Sequence, residues 1–188
     1  MNIYDTGSRR VDLRTSLSRP LLTIAAVSLT LGVVAGGVSY LDRSPVPEAH
    51  VDGTAAWGTH IALFALTVAA GIVVVRRIGV SAFTRLLLSP VTSVAAQRLT
   101  TTARSIFHHP TALLRLLAGL LPAAVVVYSP FRMGMQILGG LDPNFTANAW
   151  GGPSYLGAMA CHYLDALLLI AASTALLHWL LLPADRRR

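Results

Sequence analysis

The 28 residues 155-YLGAMACHYLDALLLIAASTALLHWLLL-182 decide the fold class. They hold one charged side chain, Asp165, and as an α-helix they would extend about 42 Å. That exceeds the ~30 Å hydrocarbon core of a bilayer, so a run of this kind reads as a membrane-spanning helix that tilts, kinks or projects beyond the core. Asp165 is the only acidic residue in any long apolar segment of the chain. A carboxylate at the centre of a membrane helix costs about 2.5–3.5 kcal/mol on insertion scales and should face other helices or water. If the membrane begins at Tyr155, Asp165 lies near mid-bilayer. If it begins nearer His162, Asp165 lies one turn below the interface.

Three further apolar runs precede this one. Residues 20–41 form the first expected span, with Pro20 suited to a first helical turn. Gly32 and Gly36 in this run give the GxxxG spacing that lets helices approach closely. Residues 57–75 form the second, opening on Trp57, an interfacial residue type. It carries His60 one turn in and small residues at Ala65 and Ala69 for helix packing. Residues 111–128 form the third, with Arg115 able to snorkel and Pro122 expected to kink the helix or free a carbonyl. Gly157 and Cys161 offer a small-residue contact on the fourth span, 155–183.

The connecting segments differ in character. Residues 42–56 form a short, net acidic loop. Residues 76–110 carry Arg76, Arg77, Arg85, Arg98 and Arg104, while Val80, Phe83, Leu87, Val91, Val94 and Ala95 recur at helical spacing. This predicts amphipathic helices on the membrane surface, broken near Pro90, with arginines towards anionic headgroups. Residues 129–154 form a long loop rich in glycine and aromatics, including Trp150, and loops of this length are often functional. Its Asn144-Phe145-Thr146 matches a glycosylation sequon by coincidence of composition.

Composition agrees with the membrane class. Of 188 residues 54% are hydrophobic and 12% charged, against about 25% charged in soluble domains. All 15 basic residues are arginine, as in proteins from high-GC bacterial genomes. Thirteen fall in the tail 1–19, the stretch from Arg76 to Arg115 and the tail 184–188; only Arg43 and Arg132 fall elsewhere. By the positive-inside rule this predicts an all-α membrane protein of four helices in a bundle, both termini cytoplasmic, in a bacterial plasma membrane. Topology thus accounts for the net charge of +7, and the basic segments lack the aromatics and clustered face of a nucleic-acid binder. The segment Ser8-Arg9-Arg10-Val11-Asp12-Leu13-Arg14 resembles a twin-arginine export signal, with Asp12 where phenylalanine is usual. A flank retaining the N-terminus in the cytoplasm is the simpler reading, since no small-residue cleavage site follows. A single cysteine excludes an intrachain disulfide.

Candidate chemistry gathers at one end. His162 and Asp165, three residues apart, share a helical face. With His60 and the Trp150 loop they can converge on one outer site. Three readings compete: polar side chains joining helices or subunits; a His162/Asp165 proton or substrate path; and a cofactor site, with His60 and His162 ligating haem iron or His60, His162 and Asp165 a metal. No haem-attachment motif, P-loop, HExxH, GxSxG or GxGxxG occurs, so no enzyme activity is expected. The leading expectation is an accessory or structural subunit of a larger membrane complex, in contact with lipid and with other subunits or copies of itself. A small oligomeric transporter or proton-coupled permease comes second, and a haem- or quinone-linked redox subunit third.

Overall fold

The computed structural model describes residues 17–108 and 110–184. The Ser8–Arg14 motif, His109 and the terminal arginines lie outside them. Regular structure among the described residues is helical, apart from one antiparallel bridge between Leu17 and Thr92. Four helices are long and apolar enough to cross a membrane: α1 (Arg19–Leu41), α2 (Trp57–Ile78), α5 (Pro110–Gly139) and α7 (Tyr155–Leu180). Between α2 and α5 lie α3 (Val80–Leu87) and α4 (Ser93–Arg104), and a short α6 (Pro143–Ala147) precedes α7.

Local sequence explains most boundaries. Pro20 sits in the first turn of α1. Gly79, at φ +79°, ends α2 in a conformation that favours glycine. A 3-10 turn over Ser89–Val91 separates α3 from α4 at Pro90, and the Thr92 side chain caps α4 by accepting from the Ala95 N–H. Asp142 and Ser154 cap α6 and α7 in the same way.

The third long helix departs from expectation. It does not end at Tyr128 but continues to Gly139, through both Pro122 and Pro130. The expected loop 129–154 is therefore helical in its first part, and α6 occupies part of the remainder. Pro130 removes one backbone donor, but neighbouring helices enclose this part of α5, and packing outweighs the lost bond. Beside it, Ser129 Oγ donates to the Val125 carbonyl (2.7 Å) and Ser28 Oγ of α1 donates to the Val127 carbonyl (2.6 Å).

Glycines set the α1–α5 contact. A methyl at Gly32 would overlap the Phe131 carbonyl, one at Gly36 the Met135 carbonyl, and one at Gly134 the Leu29 carbonyl. Backbone thus meets backbone, as small-residue membrane interfaces allow. α7 packs on the other side of α5, where Tyr163 donates to the Met133 carbonyl (3.2 Å) and Tyr155 to the Ile137 carbonyl (3.1 Å).

Helix α2 stands apart. Trp57 lies against Gly157 and His60 reaches α7, but Ala65, Leu66, Val68 and Ala69 are exposed. The small residues expected to pack, Ala65 and Ala69, are exposed.

The segment 76–110 is helical and broken at Pro90, but its arginines do not all turn outward. Arg98 donates to the carbonyls of His178 (2.6 Å) and Leu181 (2.9 Å), and Arg115 to that of Leu180 (2.8 Å). The last carbonyls of a helix lack intrahelical partners and carry partial negative charge, so these cations satisfy both needs at the end of α7. Val80, Leu87, Val94 and Phe107 remain exposed on this segment. At the opposite end, Asn144 and Asn148 bind the extended segment 44–51. Asn144 accepts from the Glu48 N–H and donates to the Ser44 and Val46 carbonyls; Asn148 accepts from the Val51 N–H and donates to Glu48 and to the Ala49 carbonyl. Asn144 is thus engaged in tertiary hydrogen bonds, and Thr146 of the sequon is buried.

Candidate functional site

Near this loop-bearing end, a cleft of about 470 Å³ opens between α5 and α7. Its polar lining includes Ser129, Arg132 and Gln136 of α5, His162 and Asp165 of α7, and Asn148 and Trp150 from the loop above. Val125, Tyr128, Met133 and Leu169 supply apolar walls.

Asp165 joins this cleft to α2. Its Oδ2 lies 3.2 Å from His60 Nε2, and the His60 side chain is only 6% exposed against 23% for that of Asp165. His60 Nδ1 is 3.0 Å from the Ala56 carbonyl. That oxygen can only accept, so Nδ1 carries the hydrogen. The Nε2–Oδ2 contact then requires one proton, on either atom: imidazolium with carboxylate, or imidazole with carboxylic acid. Either way the pair is neutral overall, which lowers the cost of burying Asp165 beside apolar helices.

The loop closes over this pair. Trp150 packs at a tilt on the His60 ring, with centroids 5.3 Å apart. The Gly151 N–H donates to the Ala55 carbonyl (2.7 Å), tying the two loops together. A methyl at Gly157 would overlap the Gly151 carbonyl, and Cys161 is buried beside Gly151. The small-residue face of α7 therefore receives the loop and Trp57 rather than a full helix.

His60, Asp165 and Trp150 are in mutual reach, and His162 shares the cleft with the latter two. His162 does not face His60, however. His60 lines a smaller cleft on the α2 side with Trp57, Ile61, Phe64, Cys161 and Leu164. His60 and His162, considered above as haem ligands, line different clefts, and both ring nitrogens of His60 have hydrogen-bond partners. Among the described residues no group of three His, Cys, Asp or Glu side chains is placed to hold a metal ion.

Two further cleft residues, Arg132 and Gln136, fall in the segment 129–154 expected to be a loop, where their spacing defines no face. Ser129, Arg132 and Gln136 fall at i, i+3 and i+7, a polar stripe that would have marked a helix face had the helix been continued past Pro130. Gln136 is 2% exposed and lines the cleft. Arg132 lies in the same wall and forms no ion pair among the described residues.

Compared with known protein families, curated proteins and solved structures, the chain matches none of them.

Proposed function

We propose that this chain is a non-catalytic subunit of a larger membrane assembly, crossing a bacterial plasma membrane four times with both termini cytoplasmic. The thirteen-to-two partition of arginine supports that orientation. The observation that carries the subunit reading is α2. Its own chain holds it near the loop end and leaves Ala65, Ala69 and the apolar residues around them open. Small residues one turn apart are the pattern by which membrane helices dock, so the open face suits a helix of another subunit. Affinity purification of a tagged copy in mild detergent, followed by mass spectrometry, tests this. A stoichiometric membrane partner is expected, and cysteine at Ala69 should cross-link to it in a Cys161→Ser background. Purification as a monomer or a homo-oligomer alone would rule the reading out.

A second reading, a small proton-coupled permease, draws on the single proton shared by His60 and Asp165 beside the cleft. It requires Asp165→Asn to abolish flux in vesicles while leaving expression unchanged.

A further inference from the structure

The α5–α7 cleft has a charge and a shape that the subunit role does not use. Its ionisable lining is Arg132, His162 and Asp165. Asp165 is paired with His60 at 3.2 Å. Arg132 is thus the cation of this lining that has no carboxylate partner among the described residues. One turn along α5, Gln136 lines the same space and offers a side-chain amide donor. Together a guanidinium and an amide donor suit an oxyanion.

Position specifies what should carry that anion. On α5, Arg132 is 17 positions beyond Arg115, and on α7, His162 is 18 positions before Leu180. Arg115 and Leu180 are bonded to each other at the basic end. With one hydrocarbon boundary there, Arg132 and His162 lie about 26–27 Å away, near the headgroup level across a ~30 Å core. Away from the loop, Val125, Tyr128 and Leu169 continue the cleft as an apolar wall at acyl-chain depth. Its volume is within the ~300–1,000 Å³ usual for ligand sites.

We propose that this cleft binds an anionic phosphate or carboxylate carried on an apolar chain, with Arg132 and Gln136 holding the anion and Leu169 contacting the chain. The inference does not depend on the subunit reading, because it concerns the purified chain alone.

Native mass spectrometry of delipidated protein in detergent tests it. The probes are dioleoylphosphatidylglycerol, dioleoylphosphatidylcholine, dodecyl phosphate and inorganic phosphate. Phosphatidylglycerol should bind in preference to phosphatidylcholine. Arg132→Gln should weaken that binding about tenfold, the loss of roughly one charged hydrogen bond. Gln136→Leu should weaken it less. Leu169→Trp, which fills the chain-binding wall and leaves Arg132 intact, should also reduce it, and serves if Arg132→Gln fails to fold. Phosphatidylglycerol or dodecyl phosphate binding with these dependences supports the proposal; whichever binds tighter separates a bilayer lipid from a single-chain amphiphile. Equal binding of the two phospholipids, wild-type affinity in folded Arg132→Gln or Leu169→Trp, or displacement by inorganic phosphate at equal concentration would overturn it.

Discussion

Substituting alanine for Gly134 adds one methyl and should loosen the whole α1–α5 contact. The new Cβ would overlap the Leu29 carbonyl oxygen and lie 3.0 Å from the Val33 nitrogen and 3.1 Å from the Leu29 carbonyl carbon. These are backbone atoms of a helix and cannot rotate away, unlike a side chain. Since unstrained carbon contacts lie at about 3.5–4.0 Å, the helices must part by roughly 1 Å. Parting weakens the Ser28–Val127 hydrogen bond (2.6 Å) and opens the packing at Gly32 and Gly36. Overpacking of this kind costs about 1–3 kcal/mol. Alanine has the higher helix propensity, by about 0.8–1.0 kcal/mol over glycine in soluble helices, so propensity alone would stabilise the variant. The sign therefore isolates the contact. Gly119 provides the control, because a Cβ there meets Leu177 Cδ2 at an ordinary 3.5 Å. Thermal unfolding in detergent at a fixed scan rate, followed by size-exclusion recovery, should rank Gly134→Ala clearly below wild type and Gly119→Ala level with it or above. A Gly134→Ala protein as stable as wild type, or a reversed ranking, would refute the packing argument.

Other consequences follow from the polar contacts. Arg98→Ala strips the last turn of α7 of a cation bonded to two carbonyls and should cost about 1.5–3 kcal/mol, with Arg98→Lys recovering part of it in the same unfolding assay. Asn144→Ala and Asn148→Ala each remove three hydrogen bonds to segment 44–51 and should expose it to limited proteolysis without unfolding the four long helices. Asp165→Ala leaves His60 Nε2 buried without a partner at a cost of about 1–3 kcal/mol, whereas Asp165→Asn can still donate to it and should stay near wild-type stability.

Much of the architecture was legible from composition. Four long helices are expected wherever some 20 apolar residues run without charge, because the backbone must satisfy itself in hydrocarbon. The break at Pro90 was equally readable, since the signal is local. The end of α5 was not. Ser129, Pro130 and Arg132 are local stop signals, but contact with α1 and α7 keeps the helix going, and that contact is not local. The common face of Arg132 and Gln136 exists only because the helix continues to Gly139. Sequence grouped His60, His162, Asp165 and the Trp150 loop towards one end, but periodicity relates residues within one helix and says nothing of azimuth between helices. Only the tertiary arrangement could put His60 on one side of Asp165 and His162 in the cleft on the other.

The number of long apolar helices, the glycine spacing of α1 and the arginine asymmetry behind the expected orientation are properties of consecutive residues and their solvent, and are legible without any contact between helices. Only contacts between helices could bring Gly32 and Gly36 against α5, Arg98 and Arg115 onto the last carbonyls of α7, and Arg132 and Gln136 into one cleft with His162 and Asp165. Those outcomes depend on how helices distant in the chain rotate against one another, and packing between their surfaces sets that rotation.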